Sequence, residues 1–242
     1  IREGFVVGEG YESLLSADYS QIEMRIMAHV SGDQSLIDAF RSGQDFHTVT
    51  ASHVFGVAPE DVSVAQRSKI KAMNYGLAYG LSAYGLSNQL KVSVGEAKEL
   101  MAGYFSRFGK VHEYLEEVVD QARRQGYTET LLGRRRYLPD LTSTNRQRRD
   151  MAERAALNAP IQGSAADLIK LAMVATDQKL AEAGLTSRVL LQVHDELILE
   201  VTKDEEEKVR QIVTDAMGHA MELSVPLTVS IGVGRSWFEA AH

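Results

Sequence analysis

Apolar residues cluster in short runs near both ends of the chain, while in the long middle they recur at helical spacing. ESLLSADY predicts a strand near 12–18 that ends at Asp18. SRVLLQVHDELILEV predicts two strands turning at Asp195 and Glu196, and PLTVSIGV a last strand after a helix near 203–221. An amphipathic helix is expected from Ser20 to about Val30, with Ile22, Ile26 and Met27 on one side. Further helical patterns lie near 33–42, 46–55, 64–79, 94–106 and 109–125, punctuated by Gly56, Pro59, Gly80, Gly85 and Gly126. YTETLLGRRRYLPD reads as a hairpin around Gly133 closed by Pro139. A long helical pattern near 145–181 should be interrupted by Pro160 and Gly163. Strands at both ends with helices between them predict an α+β fold, a sheet domain carrying a helical insertion.

Composition narrows this picture. At 242 residues and 44% hydrophobic content, one substantial core or two modest ones can be buried. No run of 18 apolar residues predicts a membrane span, and a soluble chain without a membrane partner is expected. The absence of cysteine excludes disulfides and thiolate metal sites and fits a reducing cytoplasm. The chain starts at Ile1 and enters a strand pattern almost at once, so it reads as a piece of something longer.

A net charge of −7 argues against a nucleic-acid partner, but its distribution does not. Residues 195–222 hold nine acids against three bases, whereas 134–154 hold seven arginines against three acids. From 64 to 80 there are three cations and no acid, and a basic surface is a local property.

The candidate chemistry begins with carboxylates. Asp18, at the end of a buried strand, is costly unless paired, and a metal would offset that cost; a cap or turn role competes with this reading. Ser20 and Glu23 have the spacing of a capping box, which explains both locally; alternatively Glu23, one turn beyond Asp18, faces whatever the metals hold. His194, Asp195 and Glu196 read either as turn formers or, for Asp195, as a partner of Asp18 in a site for two Mg²⁺ ions. Sequence alone does not make the two strands neighbours.

Arg67, Lys71, Tyr75 and Tyr79 are each four residues apart. Four residues advance about 400°, so neighbours differ by about 40° and form one slowly drifting stripe. The cations could meet a triphosphate and an aromatic one turn later a sugar or base, although a solvated basic edge beside a core stripe is the plainer account. Gly76 and Gly80 within a helical pattern need a reason, such as close approach of another chain or ligand. Asn158 and Gln162, flanking Pro160 in a segment that begins with Arg154, could donate to minor-groove acceptors or serve as local caps. His47 and His53 do not share a helix face, which disfavours a zinc site. Together these features suggest phosphoryl transfer to or from a nucleotide.

The three central strings, DYSQIEMRIMAHVSGD, RSKIKAMNYGLAYG and VHDELILEV, resemble motifs A, B and C of family A DNA polymerases, and TLLGRRRYLPD and RAALNAPIQGSAADLIK add to the likeness. The resemblance covers essentially the whole chain. It implies that Asp18 and Asp195, with Tyr19 as a further metal contact, hold two Mg²⁺ ions, and that a primer 3′-hydroxyl attacks the α-phosphate of a dNTP. By the same resemblance Arg67, Lys71 and His47 contact the triphosphate, and Lys71 also protonates the leaving pyrophosphate. Tyr75 would stack by the incoming nucleotide and Tyr79 would hold the template side. Glu23 would exclude a ribose 2′-hydroxyl. Gln21, Arg154, Asn158, Gln162 and His194 match residues near the primer terminus, nucleotide or minor groove, and Glu196 an acidic residue with a supporting role. Tyr75 stands where many relatives carry Phe.

The implied organisation is a palm in two parts, 1–31 and 141–242, on a mostly antiparallel sheet, with helical fingers at 32–140. The thumb and upstream domains are expected to be missing, so the chain would be a monomeric piece of a longer polymerase that binds primer-template DNA and dNTPs. Two rivals remain: a DNA-binding fragment inactive for lack of the thumb, and a single-subunit RNA polymerase, which Glu23 opposes.

Overall fold

The computed structural model describes residues 1–241. In chain order its elements are β1 (Ser13–Tyr19), α1 (Ile22–Ser31), α2 (Gln34–Arg41), α3 (Phe46–Phe55), α4 (Val64–Ala78) and α5 (Ala83–Leu90). There follow α6 (Val94–Arg107), α7 (Gly109–Gln125), β2 (Tyr127–Glu129), β3 (Arg135–Tyr137) and α8 (Arg146–Glu182). The chain closes with β4 (Arg188–Val193), β5 (Glu196–Val201), α9 (Glu206–Gly218), β6 (Val229–Gly234) and α10 (Trp237–Ala240). Contacts divide it into two compact units, one of Ile1–Ile22 with the chain from Ala165 onward, the other Glu23–Ser164.

The first unit is built on a sheet of order β4-β5-β1-β6 in which each pairing is antiparallel. Strand β5 is buried at all six positions, as its unbroken Leu-Ile-Leu centre requires. Helix α9 packs on β1 and β6 through Val209, Ile212, Val213, Ala216 and Met217, whose three- and four-residue spacing places them on one face. Leu14, Ile198 and Trp237 form a second apolar cluster. The expected α+β class with a mostly antiparallel sheet is what the structure contains.

The second unit is helical. Asp33 caps α2 by accepting from Leu36 N at 3.1 Å and also accepts from Lys110 N at 3.1 Å, so one carboxylate serves the starts of two helices. Helix α4 opens with a capping box between Ser63 and Gln66. Helix α5 falls outside the helical patterns expected from the sequence, where Gly80 and Gly85 flank its start; Ser82 caps it by accepting from Gly85 N at 3.2 Å.

The expected break at Pro160 and Gly163 is absent, and α8 runs through both. Ser164 Oγ donates to the Pro160 carbonyl at 2.5 Å. Gly163 is small because the β2–β3 hairpin lies against it: a Cβ there would meet Thr130 Cγ2 at 2.6 Å. Arg134 Nη2 donates to the Gly163 carbonyl at 2.9 Å, and Leu131 N to Ser164 Oγ at 2.9 Å. The glycine therefore permits close approach instead of stopping the helix.

The contact boundaries at 22/23 and 164/165 differ from the sequence-based ones near 31 and 140. The first half of α8 packs Ala152 and Ala156 with Ala122, Leu138 and Leu141, and Arg25 of α1 lies 4.7 Å over the Phe40 ring. Among the described residues no helix is long and apolar enough to cross a membrane.

Candidate functional site

In the first unit, the register of β1 against β5 sets Asp18 opposite Glu196, and Tyr19 N donates to the Asp195 carbonyl at 3.2 Å. The two aspartates, 177 residues apart in sequence, thus lie at the same end of adjacent strands. The turn between β4 and β5 is His194 and Asp195, with Glu196 already the first residue of β5. His194 takes a left-handed φ of 55°, and its carbonyl accepts from Gln192 Nε2 at 2.7 Å.

Burial pushes the Asp195 carboxyl above its ordinary range, and the neighbouring Glu196 charge adds to this. A desolvated carboxylate beside a second acid is stabilised by a cation. Among the described residues no three His, Cys, Asp or Glu side chains form a metal cage. Two hard carboxylate donors suit Mg²⁺, which keeps waters and takes phosphate oxygens in its shell. Glu196 has other commitments: its Oε1 accepts from Ser16 Oγ at 2.6 Å and Trp237 Nε1 at 2.8 Å, and Oε2 lies 3.7 Å from Arg2. The Tyr19 phenol is also engaged, donating to the Met217 carbonyl at 2.7 Å, which leaves its main chain as the group a metal could meet. Gln21 has a left-handed φ of 57°, and its buried Oε1 has no hydrogen-bond partner among the described residues. Such strain persists only where the surroundings enforce it.

In the second unit, α4 displays Arg67 and Lys71 exposed, then Tyr75 and Tyr79 half-buried. Arg67 forms a two-point ion pair with Asp45, Nε to Oδ2 at 2.8 Å and Nη2 to Oδ1 at 3.0 Å. His47, two residues beyond Asp45, is buried, and Asn74 Nδ2 lies 2.9 Å from its Nδ1. With that amide donating, the imidazole proton sits on Nε2. Burial pulls the His47 pKa down to about 4; Asp45 opposes the shift, while Arg67 and Lys71 add to it. At neutral pH His47 is therefore an uncharged donor. Its ring lies 6.1 Å from that of Tyr75.

The Tyr79 hydroxyl donates to Glu23, and the Gln162 side chain hydrogen-bonds the same phenol. Burial and then the Glu23 carboxylate push the Tyr79 pKa up. Arg154, Asn158 and Gln162 are four residues apart on α8 and form one stripe. The Asn158 Oδ1 is buried without a hydrogen-bond partner among the described residues. The two glycines of motif B have packing reasons: a Cβ on Gly76 would meet Leu81 Cδ2 at 2.8 Å, and Gly80 has a φ of 69°.

The structure thus gathers Asp18 with Asp195 in one unit. In the other it gathers Glu23 with Tyr79 and Gln162, and His47 with Tyr75. Two partners escaped sequence reading. Asp45 shows only as a helix cap, three residues before Thr48, and Asn74 as one polar position inside a helix.

Comparison with known proteins supplies the frame for these clusters. The profile of DNA polymerase family A matches residues 1–239. DNA polymerase I of Mycobacterium tuberculosis is 62% identical over 242 residues, and that of Pseudomonas aeruginosa 53% over 240. All of this chain aligns with the first and 99% with the second, but it spans only 27% and 26% of their lengths. A solved structure described as the POL domain of Pol1 from M. smegmatis, in complex with DNA primer-template and dNTP, matches with a TM-score of 0.96 at 62% identity. That match covers 100% of this chain and 43% of the other. The chain belongs to DNA polymerase family A.

Proposed function

We propose that this chain carries the chemical centre of template-directed DNA synthesis, joining a dNTP to a primer 3′-hydroxyl with release of pyrophosphate. The observation that carries this reading is the antiparallel pairing of β1 with β5, which brings two motif carboxylates 177 residues apart to one strand end.

Asp18 and Asp195, with the Tyr19 main chain, are the residues that would hold the divalent ions used by family A enzymes. Two Mg²⁺ ions, when bound, would make the primer hydroxyl more acidic and stabilise charge on the leaving oxygen. Arg67 binds phosphate through guanidinium donors, and neutral His47 donates through Nε2. Lys71 holds the triphosphate and gives a proton to the departing pyrophosphate. Glu23, held by Tyr79, occupies the space a 2′-hydroxyl would need, and Gln21 lies on the nucleotide side. Tyr75 stacks by the incoming nucleotide. Tyr79, Arg154, Asn158, Gln162 and His194 contact template or primer, with the amides meeting minor-groove acceptors that every base pair presents. Glu196 acts through the sheet, as its bonds to Ser16 and Trp237 support. The partners are primer-template DNA and dNTPs, and the setting is a cytoplasmic monomer within a longer polymerase.

Primer extension with Mg²⁺ tests the reading. Extension with dNTPs that disappears in Asp195→Asn is the expected result. Activity surviving that substitution would refute the metal assignment, ribonucleotide preference would favour an RNA polymerase, and DNA binding without extension would leave a binding fragment.

A further inference from the structure

We propose that Asp45 is a positioning residue for Arg67, holding its guanidinium in the orientation that receives the nucleotide's phosphates. This rests on the nucleotide-binding reading given above and assigns a role to a residue outside its motifs.

Asp45 is held by bonds that do not involve Arg67. It is the N-cap of α3, where Oδ2 accepts from Thr48 N at 2.9 Å and Thr48 Oγ1 at 2.6 Å. The carboxylate is thus a post built into a helix start. Arg67 docks on it side-on, using Nε and Nη2. A two-point bond sets the guanidinium plane, not merely its distance. The donors on Nη1 have no other protein partner among the described residues, so they remain for an anion.

Stability does not account for the pair. The Arg67 side chain is 44% exposed and that of Asp45 36%, and exposed ion pairs add little to folding. Geometry does account for it. A long side chain immobilised only on binding loses rotamer freedom at that moment, whereas one already held has lost it beforehand. The same helix start carries His47, held by Asn74 at 2.9 Å. The N-terminus of α3 thereby orients two phosphate donors, one directly and one through its cap. The opposite possibility is that Asp45 competes with phosphate for Arg67, and the two differ in sign.

The test is calorimetric binding of dNTP and of dNMP, with Mg²⁺, to this chain, to Asp45→Asn, to Arg67→Ala and to the double variant. Asn caps helices about as well as Asp, so the fold is retained, and Asp45→Ser is a second capping variant that removes the charge. Positioning predicts that Asp45→Asn weakens dNTP binding by about 5- to 10-fold and dNMP binding by less than about 2-fold, because only the outer phosphates need Arg67. In the Arg67→Ala background the same change should have almost no further effect. Unchanged or tighter dNTP binding by Asp45→Asn and Asp45→Ser, or an equal loss in both backgrounds, would overturn the assignment. If the unsubstituted chain binds no dNTP, the nucleotide reading itself falls and this inference with it.

Discussion

The Tyr79 hydroxyl donates to the Glu23 carboxylate, linking the residue that ends α4 to the first turn of α1 across 56 positions of sequence. A carboxylate held this way occupies one place, while a free one samples several rotamers. If Glu23 excludes the ribose 2′-hydroxyl, its exclusion should depend on that bond. Tyr79→Phe is expected to lower the deoxy-to-ribonucleotide ratio of kcat/KM by about 3- to 10-fold, the scale of one hydrogen bond. Glu23→Ala should lower it further. An unchanged ratio in Tyr79→Phe would show that Glu23 does not depend on the phenol.

A second prediction concerns the other tyrosine of the stripe. The Tyr75 ring, half-buried, packs 6.1 Å from the His47 ring, beside the phosphate donors assigned to the nucleotide. Removing the phenol oxygen leaves this packing in place and changes only the polar edge. By the chain's resemblance to motif B, where many relatives carry Phe at this position, Tyr75→Phe is expected to strengthen rejection of dideoxynucleotides, and the retained packing should keep thermal stability within about 1 kcal/mol. Competition between dideoxy and deoxy substrates measures it, and identical incorporation ratios would sink the idea.

Gly80 carries two constraints at once. Its φ is 69°, and a Cβ would stand 2.5 Å from Leu157 Cδ1. Left-handed backbone is unfavourable for alanine by about 1 kcal/mol or more, and displacing Leu157 adds to that. Gly80→Ala should destabilise the protein by about 1–3 kcal/mol, read from urea unfolding. Gly76→Ala offers a contrast: the neighbour in its way is the end of the Leu81 side chain, and the change gains helix propensity. A loss at Gly80 no larger than that at Gly76 would count against the left-handed turn.

Much of this arrangement is legible from the chain. The apolar run of β5, the helical periodicity of α3, α4, α6 and α7 and the spacing of Arg67, Lys71, Tyr75 and Tyr79 follow from local rules that need no partner. Three features are not local. The pairing of β1 with β5 is a contact between distant segments, and no property of either strand names the other. Pro160 reads as a helix breaker, yet α8 continues through it, because tertiary packing overrides the propensity of one residue. Asp45 and Arg67 are 22 residues apart, and each has a sufficient local explanation, as a cap and as a surface cation. Their bond becomes visible only when α3 and α4 are packed together.

Burial of His47 makes a prediction about acid. In the unfolded chain its imidazole protonates near the ordinary value of 6.5, and in the folded protein only near 4. Between those values the unfolded state binds more protons, so stability rises with pH. The contribution is full above about pH 6.5 and is lost as pH falls toward 4, the loss reaching about 2.5 kcal/mol at pH 4.5. Many carboxylates titrate in the same range, so the comparison must isolate the imidazole. His47→Gln removes the titrating group and keeps an acceptor for the Asn74 amide. Its stability should therefore depend less steeply on pH than that of the unsubstituted protein between 4.5 and 6.5, and should converge in slope above about 7. Urea unfolding across this range reads the difference, and parallel curves would mean that His47 is solvated enough to protonate in place.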